Sequence, residues 1–195
     1  MDTIFLASLG FNMFFYEITA HHIAAARWFA DCFSRSFGQI PIRFVLTGTD
    51  PAPRGLDAVL LDEVAHHIEP AGRAFETAAE ILRPGGCLFL LEPNFFCPAV
   101  QVYLFKLRGF RTVETHVDEE TGEHYQWGNE HIRPIPTWNR LAASAGFGFK
   151  QADFLIPWFA RGSGPAPSRL RRSLERLPIA RDLLASSVTL EYIRL

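Results

Sequence analysis

Four runs of this sequence each finish on a carboxylate: MFFYE on Glu17, VLTGTD on Asp50, AVLLDE on Asp62 and Glu63, and LFLLEPN on Glu92, with Asn94 close behind. A carboxylate set just past an apolar run can accept hydrogen bonds from both hydroxyls of a ribose. An apolar neighbour such as Ile18, beside Glu17, can lie against a purine face. The same charge near the first turn of a following helix is favoured by about 0.3–1 kcal/mol with no ligand at all, and residue type leaves both readings of Glu17 open. Histidine adds the natural proton carrier near neutral pH. His66 and His67 follow the Glu63 run and His131 lies in NEHIRP; each can face a substrate as a base, or can pack or cap a helix start. His21 and His22 are read as an exposed helix start. In THVDEETGEHYQWGNEH, His116, His124 and His131 stand among acids. Their spacing fits no familiar ligand set, so no metal is expected, and the region of about residues 95–135 is read as a lid on the substrate side.

Hydrophobic patterning supplies the elements that must carry these groups. Thr3–Leu9 reads as a short helix capped by Asp2 and stopped at Gly10. Met13–Ile18 is a short aromatic-rich run between turn residues, the pattern of a buried strand. Thr19 then caps a helix from Ala20, in which Ile23, Ala26, Arg27, Ala30 and Phe33 recur near helical spacing. Ile42–Leu46 is the second strand, followed by the loop TGTDPAPRG. Ala58–Leu61 is continuously apolar, as suits a parallel strand covered on both faces. A helix over Pro70–Leu82 ends at LRPGG, and CLFLLEPN is the fourth strand. Beyond it come a helix over Ala99–Arg108, a polar insertion over Thr112–Glu130, a helix over Thr137–Ala145 and a strand over Ala152–Phe159. The linker RGSGPAPS, a basic helix from Arg169 to Leu184 and a last strand over Val188–Arg194 complete the chain. Strand and helix alternate at intervals that predict right-handed crossovers and a doubly wound α/β sheet. In such a sheet ligands bind beyond the carboxyl ends of the strands, which is where the acids fall.

Composition narrows the function classes. With 195 residues, 48% apolar, 18 Phe and 4 Trp, the chain is long enough to bury one substantial core. A formal charge of −2 gives no electrostatic footprint for nucleic acid. Cys32, Cys87 and Cys97 are scattered, which points to a reducing, cytoplasmic setting without disulfides. No apolar run approaches the roughly 20 residues that cross a bilayer. The arginine-rich helix, with Arg169, Arg171, Arg172, Arg176 and Arg181 against leucines, fits either a surface helix packed on the sheet or an interfacial helix on anionic lipid.

YEITAHHIAAAR, GLDAVLLDEVAHHI, FETAAEILRPGGCLFLLEPN and EHIRPIPTWNRLAASAGF, in that order and spacing, resemble consecutive segments of the class I S-adenosylmethionine-dependent methyltransferases of the small-molecule subgroup, over about Thr3 to Leu195. The resemblance implies a single Rossmann-like domain over 1–195 that closes in an antiparallel strand pair. It also implies S-adenosylmethionine as cofactor and methyl transfer to a small, apolar or lipid-like acceptor. By position it puts Glu17 on the cofactor ribose, Ile18 on the adenine face, and Asp50 or the Thr49 hydroxyl on the adenine amino group. Leu61, Asp62 and Glu63 would run along the methionine portion and the substrate edge, and His66, His67 and His131 would be candidates for the base.

The sequence departs from the family at its start. There, a first strand and a glycine-rich turn precede the short helix, and the turn is glycine because no side chain can intrude on the cofactor. This sequence starts at the helix, so the expected fold is N-terminally truncated, with its first strand missing, two interior edges unpaired and self-association through them favoured. Two functions stay open: an active methyltransferase, and a non-catalytic remnant or scaffold that keeps the sheet but has lost cofactor binding.

Overall fold

The computed structural model describes residues 2–17, 20–47, 49–117, 122, 124–156 and 177–195. The chain divides into two units, Met1–Arg54 and Gly55–Leu195.

In the first unit, α1 (Asp2–Ser8) leads into β1 (Met13–Glu17), and α2 (Ala20–Phe37) crosses over to β2 (Ile42–Leu46). The two strands pair in parallel, from Met13 opposite Ile42 to Glu17 opposite Leu46. α1 stops at Gly10, whose φ of +93° suits glycine alone, and α2 stops the same way at Gly38. The α2 face that carries Ile23 and Ala30 is buried, while Trp28 on another side and Phe37 at the end of the helix are exposed. Phe15 and Phe44 meet across the strand pair with ring centroids 6.0 Å apart. Ile18 and Thr19 lie outside the described residues.

The second unit opens with β3 (Leu56–Asp62), a one-turn 3-10 helix at Ala65–His67, α3 (Gly72–Ile81) and β4 (Leu82–Pro93). It continues through α4 (Pro98–Arg108), β5 (Val113–Val117), β6 (His124–Gly128), α5 (Ile135–Ser144), β7 (Phe147–Leu155), α6 (Pro178–Leu184) and β8 (Ser187–Arg194). Its main sheet has the order β3-β4-β8-β7. β3 and β4 are parallel, while β8 runs antiparallel to both β4 and β7, which is the expected antiparallel closing pair. α3 and α5 cover one face: Phe75, Ala78, Trp138 and Ala142 pack on Leu88, Leu90, Leu190 and Tyr192. Burying each of the larger side chains in that layer contributes about 1.5–3 kcal/mol.

Several elements depart from the expected bounds. LRPGG does not simply stop α3; it is the start of β4, because Pro84 forces Arg83 out of the helical region. A bulge there carries Gly86, where a Cβ would lie 2.9 Å from the Arg83 carbonyl oxygen and 3.2 Å from that of Asp57. Within the polar insertion β5 and β6 pair as an antiparallel hairpin. β7 begins at Phe147 rather than Ala152. β3 was expected to be covered on both faces, yet none of its residues is fully buried and Leu60 is 41% exposed; among the described residues β4 is its only strand neighbour. The RGSGPAPS linker and most of the arginine-rich helix lie outside the described residues. The part that is described, α6, sets the Arg181 guanidinium 4.0 Å from the centre of the Phe154 ring on β7, the packing of a helix laid on the sheet. Among the described residues, no helix is long and apolar enough to cross a membrane.

Candidate functional site

β1 ends at Glu17, whose side chain is 23% exposed and lies 3.5 Å from the His22 ring at the start of α2. β2 ends at Leu46, and the chain then turns so that Asp50 reaches back, one carboxylate oxygen accepting the Leu46 amide at 2.8 Å. Thr49 and Asp50 are exposed beside that turn. A groove of about 500 Å³ in this unit is bordered by Asn12, Met13, Phe14 and Gln39–Arg43. Those residues flank the amino ends of β1 and β2, the opposite end from Glu17, so the groove does not coincide with the acids.

In the second unit, Leu61 is half-buried while Asp62 and Glu63 are exposed at the end of β3. Glu63 takes φ +50°, and its amide donates to the Leu91 carbonyl at 2.9 Å, which ties the end of β3 to β4. The 3-10 turn that follows is clamped by Glu92, at the end of β4 and wholly buried. One Glu92 oxygen accepts the Ala65 amide at 3.0 Å and the other accepts the His66 Nδ1–H at 2.7 Å. A carboxylate only accepts, so the His66 proton sits on Nδ1 and its Nε2 points onward, 3.5 Å from a Glu130 oxygen. Burial pushes the His66 imidazole down, but the bond and charge of Glu92, with the charges of Glu130 and Glu63, outweigh it and hold the ring above its ordinary 6.5.

His67 repeats the pattern with a neutral acceptor. Its Nδ1–H donates to the Gly128 carbonyl at 2.7 Å, its ring stacks on Trp127 at 4.8 Å, and its Nε2 lies 3.9 Å from the second Glu130 oxygen. The hairpin end must come very close for this: a Cβ on Gly128 would fall 2.1 Å from the His66 carbonyl oxygen. His131 belongs to a neighbouring group, donating from Nδ1 to Glu69 at 2.6 Å, and Glu69 also takes the Arg133 guanidinium. Burial raises the Glu69 carboxyl, but Arg133 and His131 outweigh that and hold it below its ordinary 4.5.

The structure therefore brings His66 and His67 together at the carboxyl ends of β3 and β4 and puts His131 in a separate cluster. His21 and His22 are exposed, as expected of a helix start, and so are His116 and His124 in the hairpin. Asn94 is a structural clamp: its amide donates to the Asp182 and Ala185 carbonyls at 2.7 and 2.9 Å. Sequence reading missed Glu130 and the role of Glu92. The only local signal for Glu130 is its place beside His131, because its histidine partners stand far away in the chain.

No protein-family model matches the sequence, and no curated protein matches it. Solved structures do match. A SAM-dependent methyltransferase from Methanosarcina mazei aligns over 98% of this chain and 86% of its own, with a TM-score of 0.62 and 14% identity. Magnesium protoporphyrin IX methyltransferase from Synechocystis PCC 6803, solved with bound SAH, aligns over 99% and 68%, with a TM-score of 0.56 and 16% identity. An S-adenosylmethionine-dependent methyltransferase from Mesorhizobium loti aligns over 93% and 80%, with a TM-score of 0.50 and 15% identity. The fold is that of the class I SAM-dependent methyltransferases.

Proposed function

We propose that this protein transfers a methyl group from S-adenosylmethionine to a small, apolar or lipid-like acceptor. The reading is carried by one observation: in a methyltransferase fold, carboxylates stand at the carboxyl ends of β1 and β3, Glu17 partly exposed and Asp62 and Glu63 exposed. The family resemblance assigns these residues to the polar half of the cofactor. Glu17 would accept the ribose hydroxyls, Ile18 would lie on the adenine, and Thr49 or the second oxygen of Asp50 would meet the adenine amino group. Asp62 and Glu63 would face the α-ammonium, with Leu61 along the aliphatic part. When bound, the cofactor supplies an electrophilic methyl on a sulfonium.

The remaining chemistry is proton removal from an oxygen or nitrogen acceptor, and that needs a reachable base. His66, only 3% exposed, is too deep for an acceptor to touch. His131, 32% exposed and bonded through Nδ1 to Glu69, is the better candidate, followed by His67, 23% exposed. The same reading takes 1–195 as one domain, residues 95–135 as its substrate-side lid, a cytoplasmic setting for the three free cysteines, and pairing of copies along the open edge of β3.

Calorimetry tests the proposal. The wild-type chain is expected to bind S-adenosylmethionine or S-adenosylhomocysteine, and Glu17→Ala to bind at least ten-fold more weakly, about 1.4 kcal/mol for a lost charge-assisted hydrogen bond. Unchanged affinity in the variant removes Glu17 from the site. Absence of binding by the wild type overturns the proposal in favour of a scaffold that has lost its cofactor.

A further inference from the structure

We infer that His66, His67 and Glu130 form a binding site for a divalent transition-metal cation of the zinc class, held by Nε2 of each imidazole and by the Glu130 carboxylate. One ligand atom from each residue lies within 4.8 Å of the others. The two nitrogen-to-oxygen separations, 3.5 and 3.9 Å, are long for N–H···O hydrogen bonds. Ligands about 2.0–2.2 Å from one tetrahedral ion stand roughly 3.4 Å apart, so the three groups lie at or somewhat beyond the separations an ion imposes, each nitrogen facing a different oxygen of the one carboxylate.

The groups behind these ligands are arranged as metal-binding histidines require. Each imidazole has its Nδ1–H committed, to the Glu92 carboxylate for His66 and to the Gly128 carbonyl for His67. That fixes the tautomer, leaves the lone pair on Nε2 and holds both rings in place; a carboxylate behind a ligating histidine also raises its basicity. Glu130 is held at φ +51°, a conformation uncommon for a residue with a side chain, and its own carbonyl accepts the Ile132 amide at 2.9 Å. The turn thus aims its carboxylate back at the two histidines. Charge agrees: Glu92, Glu130 and the nearby Glu63 bring negative charge to two imidazoles that are neutral when ligating, and a dication offsets it.

Two imidazoles with one carboxylate suit zinc and its first-row neighbours rather than magnesium or calcium, which take oxygen ligands. Three protein ligands also leave a position open for an oxygen from water or a substrate. Because His67 and Glu130 are only partly buried, that position can be reached. The site is read without the cofactor; a cation on His67 would leave His131 as the base of the proposed methyl transfer.

The test is zinc titration of the chelator-stripped full-length protein in competition with a chromogenic chelator. One zinc per chain is expected, undisplaced by excess magnesium, with affinity at least ten-fold lower in His67→Ala and in Glu130→Gln. His21→Ala, His22→Ala and His116→Ala should bind as the wild type does. His66 is avoided because its burial makes loss of fold the expected result of substitution, and circular dichroism confirms that the other variants are folded. Should either variant unfold, X-ray absorption of the zinc-loaded wild type decides: two imidazoles with oxygen ligands support the site. Sulfur in the coordination shell, no stoichiometric zinc, or affinity unmoved by both folded variants overturns it.

Discussion

Glu92 is a carboxylate with no exposed surface, and a charge taken that far from water costs several kcal/mol unless it is fully paired. Here both oxygens are used, one by the Ala65 amide and one by the His66 ring. Replacing the side chain by methyl strands a backbone donor and a buried imidazole together. Glu92→Ala is therefore expected to lose about 3–5 kcal/mol of stability. Glu92→Gln keeps the volume but has only one accepting oxygen for two donors, and its loss should be nearer 1–3 kcal/mol. Urea midpoints should fall in the order wild type, Gln, Ala; coincident midpoints would show that the carboxylate holds nothing. The contrast with Arg83 and Asp57 is instructive. That pair is just as short, 2.7 Å, but both side chains are more than half exposed, and water screens it to a small effect.

At the scale of elements, the site depends on a hairpin seated on a turn. β6 ends where Gly128 lies against the His66 carbonyl, and the single pairing of Ile68 with Trp127 joins the two segments. Gly128→Ala must push them apart, so a loss of about 1–3 kcal/mol is expected from the clash, together with the His67 bond to the Gly128 carbonyl. Trp127, stacked on His67, reports the change: its fluorescence should shift when the stack opens, and an unaltered spectrum with an unaltered midpoint would mean that the turn tolerates a methyl there. The same region marks the limit of what the sequence discloses. β1, β2 and β3 announce themselves as short apolar runs, and α3 and α5 by their apolar spacing, because those signals are local. The β5–β6 hairpin does not, since its residues are polar and its partners are set by tertiary contact. Pro84 and Gly86 read as a stop, yet they lie in a bulge at the start of β4, where the Arg83 carbonyl and then that of Asp57 on the neighbouring strand crowd the space a side chain at Gly86 would need. Glu17, Asp62 and Glu63 were legible as strand-end acids. The meeting of His66 with Glu92 and Glu130 was not, because only the folded chain brings them together.

For the molecule as a whole, the ordering of the second unit turns on β8, which lies between β4 and β7 and carries a wholly buried tyrosine in the core layer. Tyr192 pairs with Leu88 on one side and Phe149 on the other. It meets the Phe75 ring edge-on at 6.1 Å and donates its hydroxyl to Asn139 Oδ1 at 2.9 Å. Burial pushes its phenol well above the ordinary 10.0, since the phenolate has no place in that layer. In the unfolded chain the group titrates normally. Stability from this source is complete below pH 10 and falls as pH rises through the unfolded value toward the folded one, by about 1.4 kcal/mol per pH unit while only the unfolded chain is ionised. Lys150, bonded to Glu191 at 2.6 Å and held above 10.5, loses its contribution in the same direction, but it is half exposed and its share is small. Tyr192→Phe separates the two. It removes the bond to Asn139, which lowers stability by about 0.5–1.5 kcal/mol at neutral pH, and it also removes the titrating group. Urea midpoints between pH 8 and 11 should then fall steeply above pH 10 in the wild type and much less in the variant; parallel curves would place the alkaline sensitivity elsewhere.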